Sequence, residues 1–239
     1  MRRFYAPQDQ ISDSHITLDE SETHHARQVL RLQSGDEVSV FDGEGREYLC
    51  RIVSIEKRTA NLVIESEVTP SAPESPVEIT LVAAILKGDK TDTVVQKAVE
   101  LGVTRFVPLL SARCEAKFKD AGKKMIRWER IALDASKQCG RTRLMTVQEP
   151  TSLISFLESC VDGTRIFFSE RDGAKLGTMS AGKNITAVVG PEGGWEDLEI
   201  ETASGCGFQL VTLGGRVLRA DTAAIAITAI LQHHHGDLN

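Results

Sequence analysis

Two glycine-bounded segments in the last third of the chain constrain its fold more than any other feature. The first is Val188-Val189-Gly190-Pro191-Glu192-Gly193-Gly194-Trp195, and the second is Leu213-Gly214-Gly215-Arg216-Val217-Leu218-Arg219-Ala220-Asp221-Thr222-Ala223. In each, an apolar run ends in a glycine turn that gives way to helix-forming sequence. A parallel sheet delivers backbone amides and carbonyls to a small molecule at its carboxyl edge in this way. Glycine lets a ligand approach the main chain closely. Two such loops, with arginines directly after the second, point to an adenosine-type ligand held beside an anionic substrate.

The rest of the chain supports an α/β domain behind a smaller β-rich one. In residues 1–70 one helix is expected over 22–32, with Ala26, Val29 and Leu30 on a stripe. Strands are expected over 37–41, 47–55 and 59–68, and Asp42-Gly43 marks a hairpin turn. Prolines 70, 73 and 76 make residues 71–76 the expected linker, because proline neither continues a ladder nor sits inside a helix. From 77 to 239, apolar strands (77–85, 105–110, 165–168, 185–189, 209–213) alternate with helices (91–101, 123–139, 196–204, 222–232). Strands buried on both faces imply a parallel sheet. The last helix has almost no polar side, so it must be buried in its own domain or against a second subunit, and a homodimer is the expectation.

No segment reaches the ~20 apolar residues of a membrane span, and the amino terminus lacks the apolar core of a secretory signal. A cytoplasmic location without membrane association is expected. The cysteines Cys50, Cys114, Cys139, Cys160 and Cys206 are scattered with no C-x-x-C, which favours free thiols over disulfides or zinc. No metal site is expected: His24 and His25 point about 100° apart on a helix, and His233-His234-His235 reads as an exposed tail. Although the net charge is -6, residues 113–143 hold ten Lys/Arg against four Asp/Glu, a basic segment available to phosphates. Trp128 inside it reads as a core anchor.

With these residues in place, the chain resembles the RsmE family, small-subunit ribosomal RNA uridine N3-methyltransferases of the SPOUT class. The blocks that carry the resemblance are His24-His25-Ala26-Arg27-Gln28-Val29-Leu30-Arg31, Lys87-Gly88-Asp89-Lys90-Thr91-Asp92, Gln96-Lys97-Ala98-Val99-Glu100-Leu101-Gly102-Val103, Gln138-Cys139-Gly140-Arg141 and both glycine segments. The resemblance implies a PUA-like β-barrel RNA-binding domain followed by a SPOUT-type, trefoil-knotted parallel-sheet domain that binds S-adenosylmethionine and dimerises. It also implies donor contacts from Gly190, Pro191, Glu192, Gly193 and Gly194, from Leu213, Gly214, Val217 and Leu218, and from Phe168 and Ser169 as a third wall. The partner it implies is 16S ribosomal RNA or the small ribosomal subunit. At Asp221 the chain departs from the family, where glutamate is common, and a helix N-cap is an alternative role for it.

Methylating N3 of uridine requires alignment and removal of a proton. Arg216 and Arg219 are the expected catalytic residues, able to hold the resulting anion or flanking phosphates but unable to act as base. The carboxylates Glu192, Asp221 and Glu170 remain open as proton acceptors. The RNA-facing surface is expected to combine Arg2 and Arg3 with Lys123, Lys124, Arg127, Arg130, Lys137, Arg141 and Arg143, as phosphate grips that give affinity without sequence reading. Two alternatives remain: a related enzyme acting on another RNA or on a ribose hydroxyl, and a non-catalytic RNA-binding assembly factor.

Overall fold

The computed structural model describes residues 2–114, 121–159, 162–171, 173–176 and 181–239. The chain divides into two compact units: one runs up to Glu74 and also takes Ser136–Leu144, the other comprises Ser75–Ala135 and Met145–Asn239. Glu74, inside the expected linker, therefore belongs to the first unit, where its carboxylate holds Arg141 at 2.8 Å. A linear scan for linkers does not anticipate a segment that returns. Cys160 and residues 115–120 of the basic segment lie outside the described residues.

The first unit is built on strands β1 (Arg3–Tyr5), β2 (His15–Leu18), β3 (Glu37–Phe41), β4 (Glu47–Ile55) and β5 (Ala60–Val68), in the order β1-β3-β4-β5-β2. All pairings are antiparallel except that of β1 with β3. The path has two ends, so the sheet is an open half-barrel. The β3–β4 turn is fixed by Asp42, whose Oδ1 accepts from the backbone N–H groups of Glu44, Gly45 and Arg46 at 2.8, 3.0 and 3.0 Å. Phe4, Ile16, Val38, Val40, Cys50, Ile52 and Leu62 fill the core. The helix expected over 22–32 takes a different form. An α-helix, α1 (Glu20–His24), gives way to a π-helix over His25–Val29, and Val29 faces solvent at 61% exposure.

The second unit has a parallel sheet of β6 (Glu78–Ala84), β7 (Val103–Leu110), β8 (Thr146–Val147), β9 (Thr151–Ser152), β10 (Thr164–Phe168), β11 (Ala174–Lys175), β12 (Asn184–Val189) and β13 (Gln209–Thr212). Its path is β11-β13-β10-β12-β6-β7-β8, with β9 also on β7. In register, Val188 sits between Phe167 and Val82 at the centre. These positions are apolar on both faces because helices α2 (Lys90–Glu100), α3 (Ala121–Cys139), α4 (Leu153–Glu158), α5 (Asp197–Gly205) and α6 (Ala220–His235) accompany the sheet. Trp128 is buried at 2% exposure, and its Nε1 donates to Asp92 Oδ1 at 2.9 Å.

Helix α6 is docked at its end. Gln232 Nε2 donates to the Leu101 carbonyl at 2.9 Å, and Ser75 Oγ donates to Gln232 Oε1 at 2.8 Å. The histidines expected to trail as a tail form the last turn of α6, since Gln232 is held and the helix continues past it. Among the described residues no cluster of His, Cys, Asp or Glu could hold a metal ion, and no helix is long and apolar enough to cross a membrane.

Candidate functional site

At the carboxyl edge of the second unit's sheet, the loops that leave β10, β12 and β13 meet. They enclose a cavity of about 690 Å³ whose lining runs over residues 168–171, 189–195 and 212–220 and adds Ala223 and Ile227 from α6. Every donor-site residue expected from the resemblance is in that lining: Phe168, Ser169, Gly190, Pro191, Glu192, Gly193, Gly194, Leu213, Gly214, Val217 and Leu218. Arg216 and Arg219 line it too.

Two glycines of the first loop have separate reasons to be glycine. Gly190 lies against Trp195, where an added Cβ would come within 2.8 Å of the indole Cε2. Gly194 has φ +70°, which L side chains rarely adopt, and an added Cβ would sit 2.5 Å from Glu170 Oε1. The tight turn therefore follows from a buried indole packed underneath it. Trp195 is fully buried, stacks at 4.5 Å on Phe167, and donates from Nε1 to the Phe168 carbonyl at 2.8 Å.

Trp195 and Arg171 are structural parts of the site that the sequence reading did not single out. Arg171 donates to the Trp195 carbonyl and to Asp197 Oδ1, each at 2.7 Å, and its own N–H reaches Ser169 Oγ at 3.2 Å. It thus clamps the first glycine loop to the β10 loop. Its signal in sequence was faint: an arginine three residues after a strand end, with partners 24 and 26 residues on. The Lys87-to-Asp92 block also joins the site, because Lys90 Nζ holds Glu192 Oε1 at 2.9 Å.

Among the carboxylates considered as proton acceptors, Glu192 is thus ion-paired, and Glu170 lies 3.7 Å from Arg171 Nε. Asp221 does not cap α6; Arg219 is the N-cap residue. Asp221 instead sits in the first turn with Oδ1 buried and without a hydrogen-bond partner among the described residues. Arg216 and Arg219 are exposed, and no carboxylate engages either among the described residues.

The residues expected to face RNA divide. Arg3 is removed from that role: it pairs with Glu47 at 2.8 Å, donates to the Ser136 and Arg141 carbonyls, and stacks over Phe41. Arg141 is buried against Glu74, and Lys137 is bonded to the buried Glu22. These guanidinium and ammonium groups are turned to carboxylates within the first unit, and two of those, Glu22 and Glu47, are buried and would be costly without a partner. Arg2 pairs with Asp36 at 3.6 Å and Arg127 with Asp92 at 2.6 Å, both partly exposed. Lys123, Arg130 and Arg143 are exposed, and Lys124 is half-buried.

A parallel sheet with a nucleoside-sized cavity at its carboxyl edge, in a chain that also carries a half-barrel unit, is the architecture of an RNA methyltransferase with an accessory domain. Residues 73–232 match the RNA methyltransferase domain family and residues 18–65 the RNA methyltransferase PUA domain family. The ribosomal RNA small subunit methyltransferase E of Synechocystis is 36% identical over 92% of this chain and 74% of its own. That of Aquifex aeolicus is 33% identical over 91% and 94%. The crystal structure of the Neisseria gonorrhoeae enzyme bound to S-adenosyl methionine superposes with a TM-score of 0.92 at 36% identity, covering 100% of both chains. The chain belongs to the ribosomal RNA small subunit methyltransferase E family, with a PUA-like amino-terminal domain and a SPOUT-type methyltransferase domain.

Proposed function

We propose that this protein methylates N3 of a specific uridine in small-subunit (16S) ribosomal RNA, using S-adenosylmethionine, as a cytoplasmic homodimer. The observation that carries this is the convergence of three strand-end loops on one cavity lined also by Arg216 and Arg219. The cavity's residues suit the donor. About 690 Å³ lies within the range of small-molecule sites. Phe168, Leu213, Leu218 and Ile227 offer apolar walls for an adenine ring, and main-chain groups of 190–194 and 213–218 offer hydrogen bonds to its polar edges.

When bound, the donor supplies a methyl group already activated on a sulfonium. The chain's own contribution is alignment, for which rigid loops can supply about 7 to 11 kcal/mol of the barrier. As N3 loses its proton, charge spreads onto the uracil carbonyl oxygens, and the guanidiniums of Arg216 and Arg219, which no carboxylate engages among the described residues, stabilise it. Glu192 is held by Lys90, whereas Asp221 keeps an acceptor oxygen without a donor.

The dimer is supported by α6 and the loop before it. Ile225 and Ile230 are only half covered, and Val217 is 84% exposed beside Leu218, an apolar surface that a second copy would bury. The trefoil knot and the 71–76 linker rest on family membership and on the proline pattern. Isothermal titration with S-adenosylmethionine tests the catalytic reading: a saturable heat is expected, and none would leave an RNA-binding factor without chemistry.

A further inference from the structure

Several basic side chains of the first unit are already held by carboxylates. Arg2 is paired with Asp36, Arg3 with Glu47, Arg51 with both Glu37 and Glu65, and Arg58 with Glu20. Arg27 and Arg31 are different: both are exposed, and neither has an ion-pair or hydrogen-bond partner among the described residues. They flank Val29, one of the most exposed large apolar side chains of the protein at 61%.

The backbone that presents them is unusual and firmly held. Leu30 N–H bonds to the His25 carbonyl at 3.0 Å, which makes the turn a π-helix, and Leu32 N–H reaches back to the Ala26 carbonyl at 2.9 Å. Between them Arg31 takes φ +54°, the one non-glycine residue with positive φ among the described residues. Glycine is the usual occupant of such a position after a helix, because it has no Cβ to crowd the backbone. Ala26 and Leu32 are buried, and the His25 ring packs edge-on against Phe4 at 6.1 Å, so the core fixes the segment from beneath. Wide turns and strained φ values of this kind cluster at functional sites. Here the strain presents an arginine whose side chain has no hydrogen-bond or ion-pair partner among the described residues.

We infer that residues 27–31 are an RNA-docking element, in which Arg27 and Arg31 grip backbone phosphates and Val29 lies against a ribose or base. The inference rests on the proposed function for its ligand. The guanidinium fork matches phosphate geometry, and an aliphatic between two such forks suits a polyanion whose sugar and base are less polar than its backbone. The element replaces Arg3, Arg141 and Lys137, whose charges are neutralised inside the unit.

The test uses the full chain and small-subunit ribosomal RNA. Arg31→Gly removes the charge at a φ that glycine prefers, so folding is not compromised, and it is combined with Arg27→Ala. RNA affinity is measured by filter retention across a salt series, and methyl transfer and S-adenosylmethionine affinity are measured separately. The double variant is expected to lose about tenfold or more in RNA affinity, with a slope of log K against log salt shallower by roughly 1.4 to 1.8, as for two lost phosphate contacts. Its donor affinity and kcat should stay near wild type while KM for RNA rises, and Arg31→Lys should restore part of the loss. Equal RNA affinity and equal salt slope in variant and wild type overturn the inference and leave the patch to a protein partner. Failure of the catalytic reading shows differently, as wild-type protein that transfers no methyl group.

Discussion

Trp195 donates its indole N–H to the Phe168 carbonyl at 2.8 Å, and this bond ties the first glycine loop to the end of β10 inside a fully buried contact. Two of the three walls of the candidate site are thereby fixed by one side chain. Because Gly190 lies directly on the same indole, loop shape and core packing are a single problem. Trp195→Phe keeps most of the volume but leaves a buried carbonyl without a donor, which should cost about 1 to 3 kcal/mol. Gly190→Ala adds a methyl where the indole stands 2.8 Å away, and overpacking of this sort costs about 1 to 3 kcal/mol. Urea denaturation should report both losses, and titration calorimetry should show weakened donor binding in each. Wild-type donor affinity in Gly190→Ala would show that the loop does not shape the site.

Arg219→Ala should separate chemistry from binding. If its guanidinium stabilises charge on the uracil ring, methyl transfer falls by about 10² to 10³. Donor affinity should stay within about twofold, since a side chain that meets the base adds little to donor binding. Single-turnover assays with a labelled methyl group measure the first, and calorimetry the second. A variant with near-normal turnover removes Arg219 from the mechanism.

Arg3→Ala is expected to act on stability instead. Arg3 and Glu47 have side chains only 9% and 6% exposed, and removing one partner of such a pair strands the other. The cost is about 3 to 5 kcal/mol. Chemical denaturation should show that loss, whereas RNA affinity of the folded fraction should match wild type.

Cys50 gives a pH-dependent signature. Burial pushes its thiol up to about 12. A raised folded-state pKa means that the native state holds the proton more tightly than the unfolded chain, in which a thiol titrates near ~8.5. The stabilising contribution is complete below that value and is lost as pH rises toward 12. Unfolding at pH 8 and pH 10.5 should therefore show a fall in stability that is smaller in Cys50→Ala. At pH 8 iodoacetamide should also leave Cys50 unmodified until the chain is unfolded.

The central strands of the second unit were legible because a strand buried on both faces writes itself as an apolar run. Expected limits for β6, β10 and β12 fall within about a residue of those observed. The glycine loops were legible for a related reason, since their turns require residues that few other structures require. Short elements such as β1, β8, β9 and β11 were not, because two or three residues held by long-range pairing carry no period of their own. Arg3 and Arg141 were misassigned to an RNA surface because their partners, Glu47 and Glu74, lie 44 and 67 residues away. The π-turn over His25–Val29 was hidden for the opposite reason: its apolar spacing is that of an ordinary helix, and only the added backbone residue turns Val29 outward.

The most direct measurement is to incubate the protein with a labelled methyl donor and small ribosomal subunits from a strain lacking the enzyme, then to locate the label by nuclease mapping and mass analysis. The account predicts one methyl group at N3 of a single uridine in the small-subunit RNA, lost in Arg219→Ala. A label on a ribose hydroxyl or on another RNA, or no label at all, would contradict it.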